Sequence, residues 1–462
     1  MDLEPIRREI LKDPILFKLS NLAKEKSTPL YLVGGYIRDL FLGIHRKDYD
    51  FTLPKEDFSF IKMIEEFLNL RFFKVGKEEM DTITYRITKD DLSIDLTFFQ
   101  GRTIEEDLQR RDFTINAIAF SLRDETFHWS EGAFVDLGKK VICAVSNQSI
   151  DQDPLRMLRA VRYLCTLDDF VLDTKLKKEI SLKRDKIEKT PGERVKMELD
   201  RILLSPRPSV GMKILYELGL LLVFFPELKA LENLGQNEHH HLNALSHTLL
   251  LIEKISWASG WITSTGMNIF LTSEGRLSLY FAALFHDIGK QDTYSKDENG
   301  KVHFYHHEAF SCEAAEKIFE RLRFSNPMRK KILHLIQYHM RISNLNQETK
   351  ETALKRLVNQ VGDEIPLLVL LSLADKEASR GILSIQNDEV VEDHCLRIFK
   401  LFQQKEIVHP TPLITGHDVM SLGYSSGPKI GQILNFIREK QIEGEIKTRE
   451  EALKVLRERF EV

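Results

Sequence analysis

The chain has 462 residues, of which 42% are hydrophobic and 29% charged, a composition typical of a globular protein with about three domains. A net charge of −4 excludes a global attraction to nucleic acid, so any such surface has to be a local basic patch. The four cysteines form no C-x-x-C pair, which argues against a disulfide framework and favours a reducing compartment. We expect a cytoplasmic protein, because the N-terminus is too charged for a secretory signal and the most apolar run, Ile365 to Ala374, is too short to cross a bilayer.

The segment from Tyr31 to Leu53 predicts a strand, a glycine turn, a short helix and a second strand. Gly34 and Gly35 allow a sharp turn at which a phosphate can approach the backbone. The second strand alternates polar and apolar residues, which places Asp48 and Asp50 on one face. Two carboxylates beside a glycine turn are what a pair of divalent metals bound to a triphosphate requires, whereas a lone D-x-D is more often a solvated strand face.

Three further elements are predicted in this region: a helix near Phe58 to Leu70 and strands near Arg71 to Val75 and Thr82 to Thr88. The strand that follows them, from Leu92 to Phe99, also alternates and carries Asp95 on its polar face. Asp95 is a third candidate metal ligand if its strand neighbours the D-x-D strand, and a plain surface aspartate if it does not.

The run EEDLQRRDFTINAIAF contains a second group of polar residues, Arg110, Arg111, Asp112 and Asn116. The two arginines supply planar donors for phosphate oxygens, and the aspartate can accept from a ribose hydroxyl. The apolar residues from Phe113 onward predict a buried helix, and charges at the start of a buried helix favour a binding role over a solvated charge run.

The run DQDPLRMLRAVRY predicts a helix with Asp153 as its N-cap and Pro154 in the first helical position. Arg156, Arg159 and Arg162 then recur on one face without an acidic partner four residues away. Such a row favours a bound anion, or a base contacted by Asp153 and Arg156; an ordinary solvated face is the alternative.

Histidine and aspartate residues form a further group in the middle of the chain. An adjacent His–Asp pair ends a predicted buried helix, and distant His and Asp residues have the types that complete a metal site. The group consists of His247, His286, Asp287, His307, His339 and Asp375. A single core histidine is usually only a packed residue, but six residues of ligand type favour metal binding and phosphoester hydrolysis by a metal-bound water.

The motifs VGGYIRDLFLG with DYDF, RRDFTINAIAF, and DPLRMLRAVRY together resemble those of the bacterial tRNA nucleotidyltransferase and poly(A) polymerase family, class II of the polymerase-β-like nucleotidyltransferases. PGERVKMEL and the tail PLITGHDVMSLGYSSGPKIGQIL also agree, and the similarity runs from about Tyr31 to Leu456. The histidine–aspartate group resembles an HD-type phosphohydrolase domain.

The resemblance implies an α+β fold, with a polymerase-β-like nucleotidyltransferase head followed by an elongated all-helical neck, an HD-type body and a tail. The implied divisions are residues 1–125 for the head, 126–230 for a neck with the nucleotide-selecting helix, 231–400 for the HD-type domain and 401–462 for a helical RNA-binding tail. The glycine turn before a helix in the tail, from Leu422 to Gly431, suits an RNA phosphate, and a plain turn between helices explains it equally well.

The resemblance also implies roles for individual residues. Asp48 and Asp50 would be catalytic and bind Mg²⁺. The nucleotide-binding residues would be Gly34, Gly35, Arg38, Arg111, Asp112, Asn116, Asp153, Arg156, Arg159 and Arg162. In the HD-type domain a divalent metal would be bound by His247, His286, Asp287 and Asp375, with His307 and His339 as ligands of a second metal.

Two departures from the family pattern bear on the product. Gln152 stands where the family usually carries a glutamate, so the charge beside the nucleotide-selecting residues is lost. The segment from Ile83 to Asp107 is short and lacks the flexible loop that precedes the R-R-D motif in complete CCA-adding members. Members that add only CC typically have a defective or missing loop.

The favoured hypothesis is an enzyme that adds C, A or both from CTP and ATP to the 3′ end of tRNA or another RNA, without a membrane partner and with its oligomeric state open. A poly(A) polymerase of the same fold, or a CC-adding or A-adding partial enzyme, is the alternative within the family. The rival from another class is an HD metal phosphohydrolase with a non-catalytic head, and an RNA-binding scaffold is a distant third.

Overall fold

The computed structural model describes residues 3–75, 83–235, 243–380 and 388–460. The chain divides into two compact units: Met1–Thr190 with Glu217–Leu220, and Pro191–Tyr216 with Leu221–Val462. The finer four-part division expected from the sequence stays a prediction.

The first unit combines a mixed sheet with helices, in agreement with the predicted α+β head. Its strands are β1 (Tyr31–Val33), β2 (Asp48–Leu53), β3 (Phe73–Val75), β4 (Thr84–Lys89), β5 (Leu92–Phe98), β6 (Ile118–Ser121), β7 (Phe127–Trp129), β8 (Val141–Ile142) and β9 (Val171–Leu172). Its helices are α1 (Glu4–Lys12), α2 (Pro14–Glu25), α3 (Gly35–Phe41), α4 (Phe58–Leu68), α5 (Ile104–Gln109), α6 (Ala133–Lys139), α7 (Ser149–Gln152), α8 (Arg156–Thr166) and α9 (Thr174–Lys183), with 3₁₀ turns at Thr114–Asn116 and Arg184–Lys189.

Seven strands form the sheet in the order β3-β4-β5-β2-β1-β6-β7. Strands β2 and β5 are parallel neighbours, and the other pairs are antiparallel. The alternation predicted for β2 is present: Tyr49, Phe51 and Leu53 are buried, while Asp48 is exposed and Asp50 is half-buried. The apolar face of β2 therefore anchors the strand in the core and directs both carboxylates to the other face.

The segment after the R-R-D motif is not the buried helix that the sequence predicts. Thr114–Asn116 form a single 3₁₀ turn, and Ile118–Ser121 form strand β6, which pairs with β1. All four residues of β6 are buried. A strand buried on both faces has no alternating pattern, so a short apolar run of this kind cannot be told from a helix by periodicity.

Helix α8 starts later than predicted. Pro154 lies in a turn, the helix begins at Arg156, and the side chain of Asp153 accepts from the backbone N–H of Leu155 at 3.1 Å. Asp153 thus caps the turn that leads into the helix instead of capping the helix itself.

The second unit is almost entirely helical, as predicted. Its helices are α10 (Gly192–Leu203), α11 (Pro208–Glu217), α12 (Leu220–Phe224), α13 (Ala244–Ser264), α14 (Ser273–Phe285), α15 (His307–Arg321), α16 (Asn326–Tyr338), α17 (Met340–Ser343), α18 (Glu351–Val361), α19 (Ile365–Ala378), α20 (Asp388–Phe402), α21 (Lys405–Val408), α22 (Gly416–Ser421), α23 (Pro428–Glu443) and α24 (Arg449–Arg459). A hairpin of β10 (Tyr294–Lys296) and β11 (Val302–Phe304) and 3₁₀ turns at Pro226–Glu232, Ile288–Thr293 and Gly362–Glu364 complete it.

One helical stretch of the described residues, Glu351–Ala378, is long and apolar enough by composition to cross a membrane. However, 67% of its most apolar window is buried inside the protein, as is typical of a core helix. The stretch is also interrupted, because Gly362 has φ +65° and separates α18 from α19. Its apolar residues are accounted for by packing within the second unit.

Candidate nucleotide cavity and metal cluster

A cavity of about 370 Å³ opens in the first unit beside the glycine turn and strand β2. Its volume lies in the usual range for small-molecule sites. The twelve residues to which the family resemblance gave roles in the head and the adjoining helix all line it: Gly34, Gly35, Arg38, Asp48, Asp50, Arg111, Asp112, Asn116, Asp153, Arg156, Arg159 and Arg162. Arg110 and Asp95, which the sequence analysis also singled out, are not among its lining residues. The fold thus brings three separate motifs to one cavity.

The turn between β1 and α3 allows an arginine and a carboxylate to come close to the backbone. Gly34 has φ +78°, a left-handed conformation that favours glycine. A Cβ atom at this position would lie 3.1 Å from Nη1 of Arg111 and 3.7 Å from Oδ2 of Asp50. The backbone conformation therefore favours glycine at position 34, and an added methyl group would in addition be tight against Arg111.

The surroundings of Asp50 favour a bound cation. Burial raises the pKa of Asp50 to about 6, because Arg111 offsets only part of the effect of burial and of the nearby Asp48 and Asp95 carboxylates. A half-buried carboxylate with two acidic neighbours is stabilised in its ionised form by a divalent cation. The coarse prediction of a metal-dependent head is consistent with this chemistry.

Asp95 lies directly beside Asp50, because β2 and β5 pair in the register Asp50 to Asp95. The condition that the sequence analysis set for a third carboxylate is therefore met. Arg86, opposite Asp95 on β4, donates from Nε to Oδ1 at 2.6 Å, and its Nη2 contacts the other carboxylate oxygen. Sequence analysis missed Arg86, which has no motif and acquires its role only through strand pairing.

A chain of hydrogen bonds joins the glycine-turn helix, the R-R-D segment and α8. Nη1 of the buried Arg38 donates to Oδ1 of Asn116 at 2.5 Å, and Nδ2 of Asn116 donates to Oδ1 of Asp112 at 3.0 Å. Nε of Arg159 then donates to Oδ2 of Asp112 at 2.8 Å. The network fixes four predicted nucleotide-binding side chains relative to one another.

Asp112 has protein partners on both carboxylate oxygens. Burial opposes its ionisation, but Arg159 and hydrogen bonds from Asn116 and the Phe113 backbone outweigh burial and hold its pKa at about 2. The acidic partner that α8 lacks within its own sequence is therefore supplied to Arg159 by the R-R-D segment. In this arrangement Asp112 positions Asn116 and Arg159 at the cavity wall.

Six cavity-lining residues were not predicted: Tyr36, Asp39, Arg46, Tyr163, Thr166 and Leu167. The most informative of them is Tyr163, whose ring lies 5.0 Å from the guanidinium carbon of Arg38 and 4.5 Å from that of Arg162. Such contacts between an aromatic face and a guanidinium are attractive. Tyr163 follows Arg156 by seven residues, or two turns of α8, and therefore lies on the same side of this helix. This spacing is the sequence signal that could have pointed to Tyr163.

The histidine–aspartate group assembles in the second unit, among helices α13 to α16 and α19. Two subsets have ligand atoms within 4.8 Å of one another: His247 with His286 and Asp375, and His286 with Asp287 and His339. His307 joins the second subset, since its Nε2 lies 3.2 Å from Oδ1 of Asp287. All six predicted residues are therefore close together.

Three of these histidines present the same ring nitrogen to the cluster. Nδ1 of His286, His307 and His339 donates to the backbone carbonyls of Ala283, Phe304 and Ile336 at 2.9, 2.9 and 2.6 Å. Because a carbonyl can only accept, Nδ1 carries the hydrogen and Nε2 is left as the ligand atom. This backbone fixation of the tautomer is typical of metal-binding histidines.

The spacing within the cluster also fits a cation. Nε2 of His307 and Nε2 of His339 are 3.1 Å apart, so two neutral imidazoles would direct lone pairs at each other. Burial and the neighbouring His286 and His307 lower the pKa of His339 to about 3, which disfavours a proton as the bridge. The donor set of imidazole and carboxylate groups suits a transition metal or zinc.

Lys290 is a cluster residue that sequence analysis missed. It is buried, and its Nζ lies 2.7 Å from Oδ2 of Asp287 and 5.4 Å from the centre of the Phe304 ring. The ammonium orients the Asp287 carboxylate and leaves Oδ1 facing His307. Its spacing of four residues from His286 in the sequence HDIGK is the signal that could have pointed to it.

A glycine turn, two strand carboxylates and an arginine-lined cavity on a mixed sheet define the first unit as a nucleotidyltransferase head of the polymerase-β-like class. Models of three families match the chain: the poly A polymerase head domain at residues 30–143, the probable RNA and SrmB-binding site of polymerase A at 169–232, and the HD domain at 240–379. The chain is 33% identical to the CC-adding tRNA nucleotidyltransferase of Thermus thermophilus, covering 91% of each chain. It is 29% identical to the A-adding tRNA nucleotidyltransferase of Deinococcus radiodurans, covering 91% of this chain and 93% of that relative.

The chain therefore belongs to the bacterial tRNA nucleotidyltransferase and poly(A) polymerase family, class II, with an HD domain. A structure of a CCA-adding enzyme with CTP shares the fold over 100% of this chain and 99% of that chain, with a TM-score of 0.68 and 22% identity. The family assignment makes the protein a nucleotidyltransferase and confirms the fold class.

Proposed function

We propose that the enzyme adds cytidine nucleotides to the 3′ end of tRNA. The RNA 3′-hydroxyl attacks the α-phosphate of CTP, a new phosphodiester bond forms, and pyrophosphate leaves. The observation that carries this proposal is the convergence of the glycine turn, the β2 carboxylates and the two arginine-bearing motifs on one cavity of about 370 Å³.

Asp48 and Asp50 would hold Mg²⁺, which activates the attacking hydroxyl and neutralises charge on the leaving pyrophosphate when bound. The adjoining side chains have complementary tasks. Arg111, beside Asp50 and the Gly34 turn, is placed to bind triphosphate oxygens. Arg159 and Arg162 extend the same positive wall along α8.

Base selection is assigned to the start of α8 and the turn before it. Asp153 and Arg156 line the cavity and supply an acceptor and a donor, the two groups needed to contact a Watson–Crick edge. Arg38, Asp112 and Asn116 are held in the same cavity by the hydrogen-bond chain described above, and Gly35 lines it beside them. Protein side chains would thus select the nucleotide without a nucleic-acid template.

The connection between β5 and α5 favours addition of C over addition of A. Only residues 99–103 separate Phe98 from Ile104. The backbone N–H of Gln100 donates to Asp107 at 3.0 Å, that of Arg102 donates to Glu106 at 2.8 Å, and Thr103 caps α5. This short, tightly bonded turn belongs to the segment before the R-R-D motif, where complete CCA-adding members carry a flexible loop. Members that add only CC typically have a defective or missing loop.

The product is tested with tRNA transcripts that end at the discriminator base. The transcripts are incubated with CTP alone, ATP alone and both, and the 3′ ends are sequenced. We expect two cytidines with CTP and no further adenosine when ATP is added. A CCA end would show a complete enzyme, a single A on a tRNA ending in CC would show an A-adding enzyme, and a long A tail would show a poly(A) polymerase.

The mechanism is tested with Asp50→Ala. Loss of a metal ligand is expected to lower CTP incorporation by at least about a hundredfold without lowering the melting temperature. Asp91→Ala is the matched control, because Asp91 is an exposed aspartate in the turn between β4 and β5 that pairs with Lys47. Incorporation by Asp50→Ala near the wild-type level would contradict the mechanism.

A second activity, metal-dependent hydrolysis of phosphoesters in the HD domain, is proposed because the six ligand-type residues converge and three imidazoles present Nε2. The metal, held by His247, His286, Asp287 and Asp375 with His307 and His339 at a second position, would supply a hydroxide nucleophile when bound.

CTP, ATP and the 3′ end of tRNA are the proposed partners, and the cytoplasm is the proposed location.

A further inference from the structure

Arg156, the proposed base-contacting residue, is held by four oxygen atoms of the protein. Nη1 lies 2.9 Å from Oγ of Ser149, 3.2 Å from the Ser149 carbonyl oxygen and 3.3 Å from Oε1 of Gln152. Nη2 donates to the carbonyl oxygen of Arg110 at 2.5 Å. Ser149 thus supplies two of the four acceptors that orient the guanidinium.

Ser149 is also the residue that links Arg156 to the R-R-D segment. It is 1% exposed, and its hydroxyl donates to the carbonyl oxygen of Asp112 at 3.1 Å. Because that hydroxyl accepts from Arg156 at the same time, its hydrogen and one of its lone pairs are used. A buried serine that is satisfied in this way holds a neighbouring side chain in one defined place.

The four acceptors of Arg156 are all neutral. A carbonyl, an amide or a hydroxyl binds a guanidinium in a defined direction, whereas a carboxylate would attract it from any side. Among the described residues no acceptor engages Nε–H of Arg156, and the side chain lines the cavity. The donors left to a nucleotide are therefore presented in a single orientation.

We propose that Ser149 is a positioning residue that sets the base preference of the enzyme, by holding Arg156 where its remaining donors suit cytosine better than adenine. Cytosine presents two adjacent acceptors, O2 and N3, on its Watson–Crick edge. Adenine presents one acceptor, N1, beside an amino group that repels an arginine donor. A guanidinium that is held in one orientation favours the base edge with two acceptors, which is that of cytosine. This inference rests on the proposed cytidine addition.

The test compares kcat/KM for CTP and for ATP in the full-length enzyme, with equilibrium binding of each nucleotide measured in parallel. Ser149→Ala removes one acceptor and is expected to lower the CTP-to-ATP ratio by about two- to tenfold, mainly through a higher KM for CTP. Ser149→Thr keeps the hydroxyl and should keep the ratio. Gln152→Ala removes an exposed acceptor and should lower the ratio by a smaller factor.

Ser181→Ala is the matched control, because its hydroxyl makes one hydrogen bond within α9 and lies outside the cavity lining. An unchanged ratio in Ser149→Ala would overturn the inference, and so would an equal loss for both nucleotides with a lower melting temperature. If the wild-type enzyme adds A as well as C, the proposed cytidine specificity fails. The change of the CTP-to-ATP ratio in Ser149→Ala and Ser149→Thr still decides the role of Ser149.

Discussion

Asp50 and Asp48 lie on the same face of β2, but their surroundings differ: Asp48 is exposed and Asp50 is half-buried. Asp48 begins β2 at the exposed edge, whereas Asp50 lies beside Asp95 and below the Gly34 turn. Burial raises the pKa of Asp50 to about 6, so its ionised form is destabilised until a cation binds. Of the two carboxylates, the ionised form of Asp50 is therefore the one that a bound cation would stabilise more.

Asp50→Asn is expected to stabilise the metal-free protein. The pKa of Asp50 is higher in the folded state than in the unfolded state, so stability is lost as pH rises from about 4 to about 6. At pH 8 in a chelator the free energy of unfolding of Asp50→Asn should exceed that of the wild type by about 1–3 kcal/mol, and the gain should shrink toward pH 5.

Denaturant unfolding across this pH range measures the effect. Asp91→Asn should show no gain at pH 8, because Lys47 lowers the pKa of Asp91 by a hydrogen bond and by its charge. A gain in Asp50→Asn that is the same at pH 5 and pH 8 would contradict the assignment to ionisation.

At the scale of elements, the register of the strands brings the glycine turn, the β2 carboxylates and the turn that carries Asn116 to one place. Val33, the last residue of β1, lies opposite Asp50 of β2 and opposite Ala119 of β6. The glycine turn leaves β1 at this point, and the 3₁₀ turn that carries Asn116 enters β6 at the same level. Each strand is short, but their pairing aligns three motifs that are far apart in the chain.

Gly34→Ala tests the turn between β1 and α3. The added methyl would meet Arg111 at 3.1 Å, and the backbone would be strained at φ +78°. We expect a cost of about 1–2 kcal/mol in stability and a loss of CTP incorporation of at least about tenfold. Thermal unfolding and single-turnover incorporation measure the two effects.

Gly43→Ala separates backbone strain from crowding of the cavity. Gly43 has a similar φ of +71°, but no atom lies within 4 Å of the position of an added Cβ. This variant should show the loss of stability and keep its incorporation rate. Equal losses of activity in the two variants would mean that strain alone accounts for the result.

At the scale of the whole molecule, the two candidate metal sites lie in different compact units. The nucleotide cavity is lined by residues between Gly34 and Leu167, in the first unit, and the histidine–aspartate cluster lies between His247 and Asp375, in the second. The two sites share no ligand, so each can be removed by substitution without touching the other.

Substitution at each site is expected to abolish only its own activity. Asp50→Ala should lose cytidine incorporation and keep hydrolysis of a 2′,3′-cyclic nucleotide, whereas His286→Ala should lose hydrolysis by at least about a hundredfold and keep incorporation. Both activities are assayed on the same preparations with and without chelator. Loss of incorporation in His286→Ala, with Asp50→Ala still active, would favour the rival in which the HD domain is the only catalytic site.

The sequence by itself selected most of the residues that meet. Local patterns, such as the alternation of β2, the glycines of the first turn and the row of arginines on α8, together with the family resemblance, selected twelve of the residues that line the cavity and the six histidine and aspartate residues of the cluster. These patterns are readable because side-chain direction repeats every 2 residues in a strand and every 3.6 in a helix.

Only the tertiary structure decided how those residues are held. It placed Ile118–Ser121 in a strand instead of a helix, since the neighbouring β1 and β7 supply hydrogen-bond partners that periodicity does not reveal. It also paired Arg86 with Asp95, Arg159 with Asp112 and Ser149 with Arg156. The charge and orientation of a buried polar group depend on its partners in space, and these partners are set when separate segments pack together.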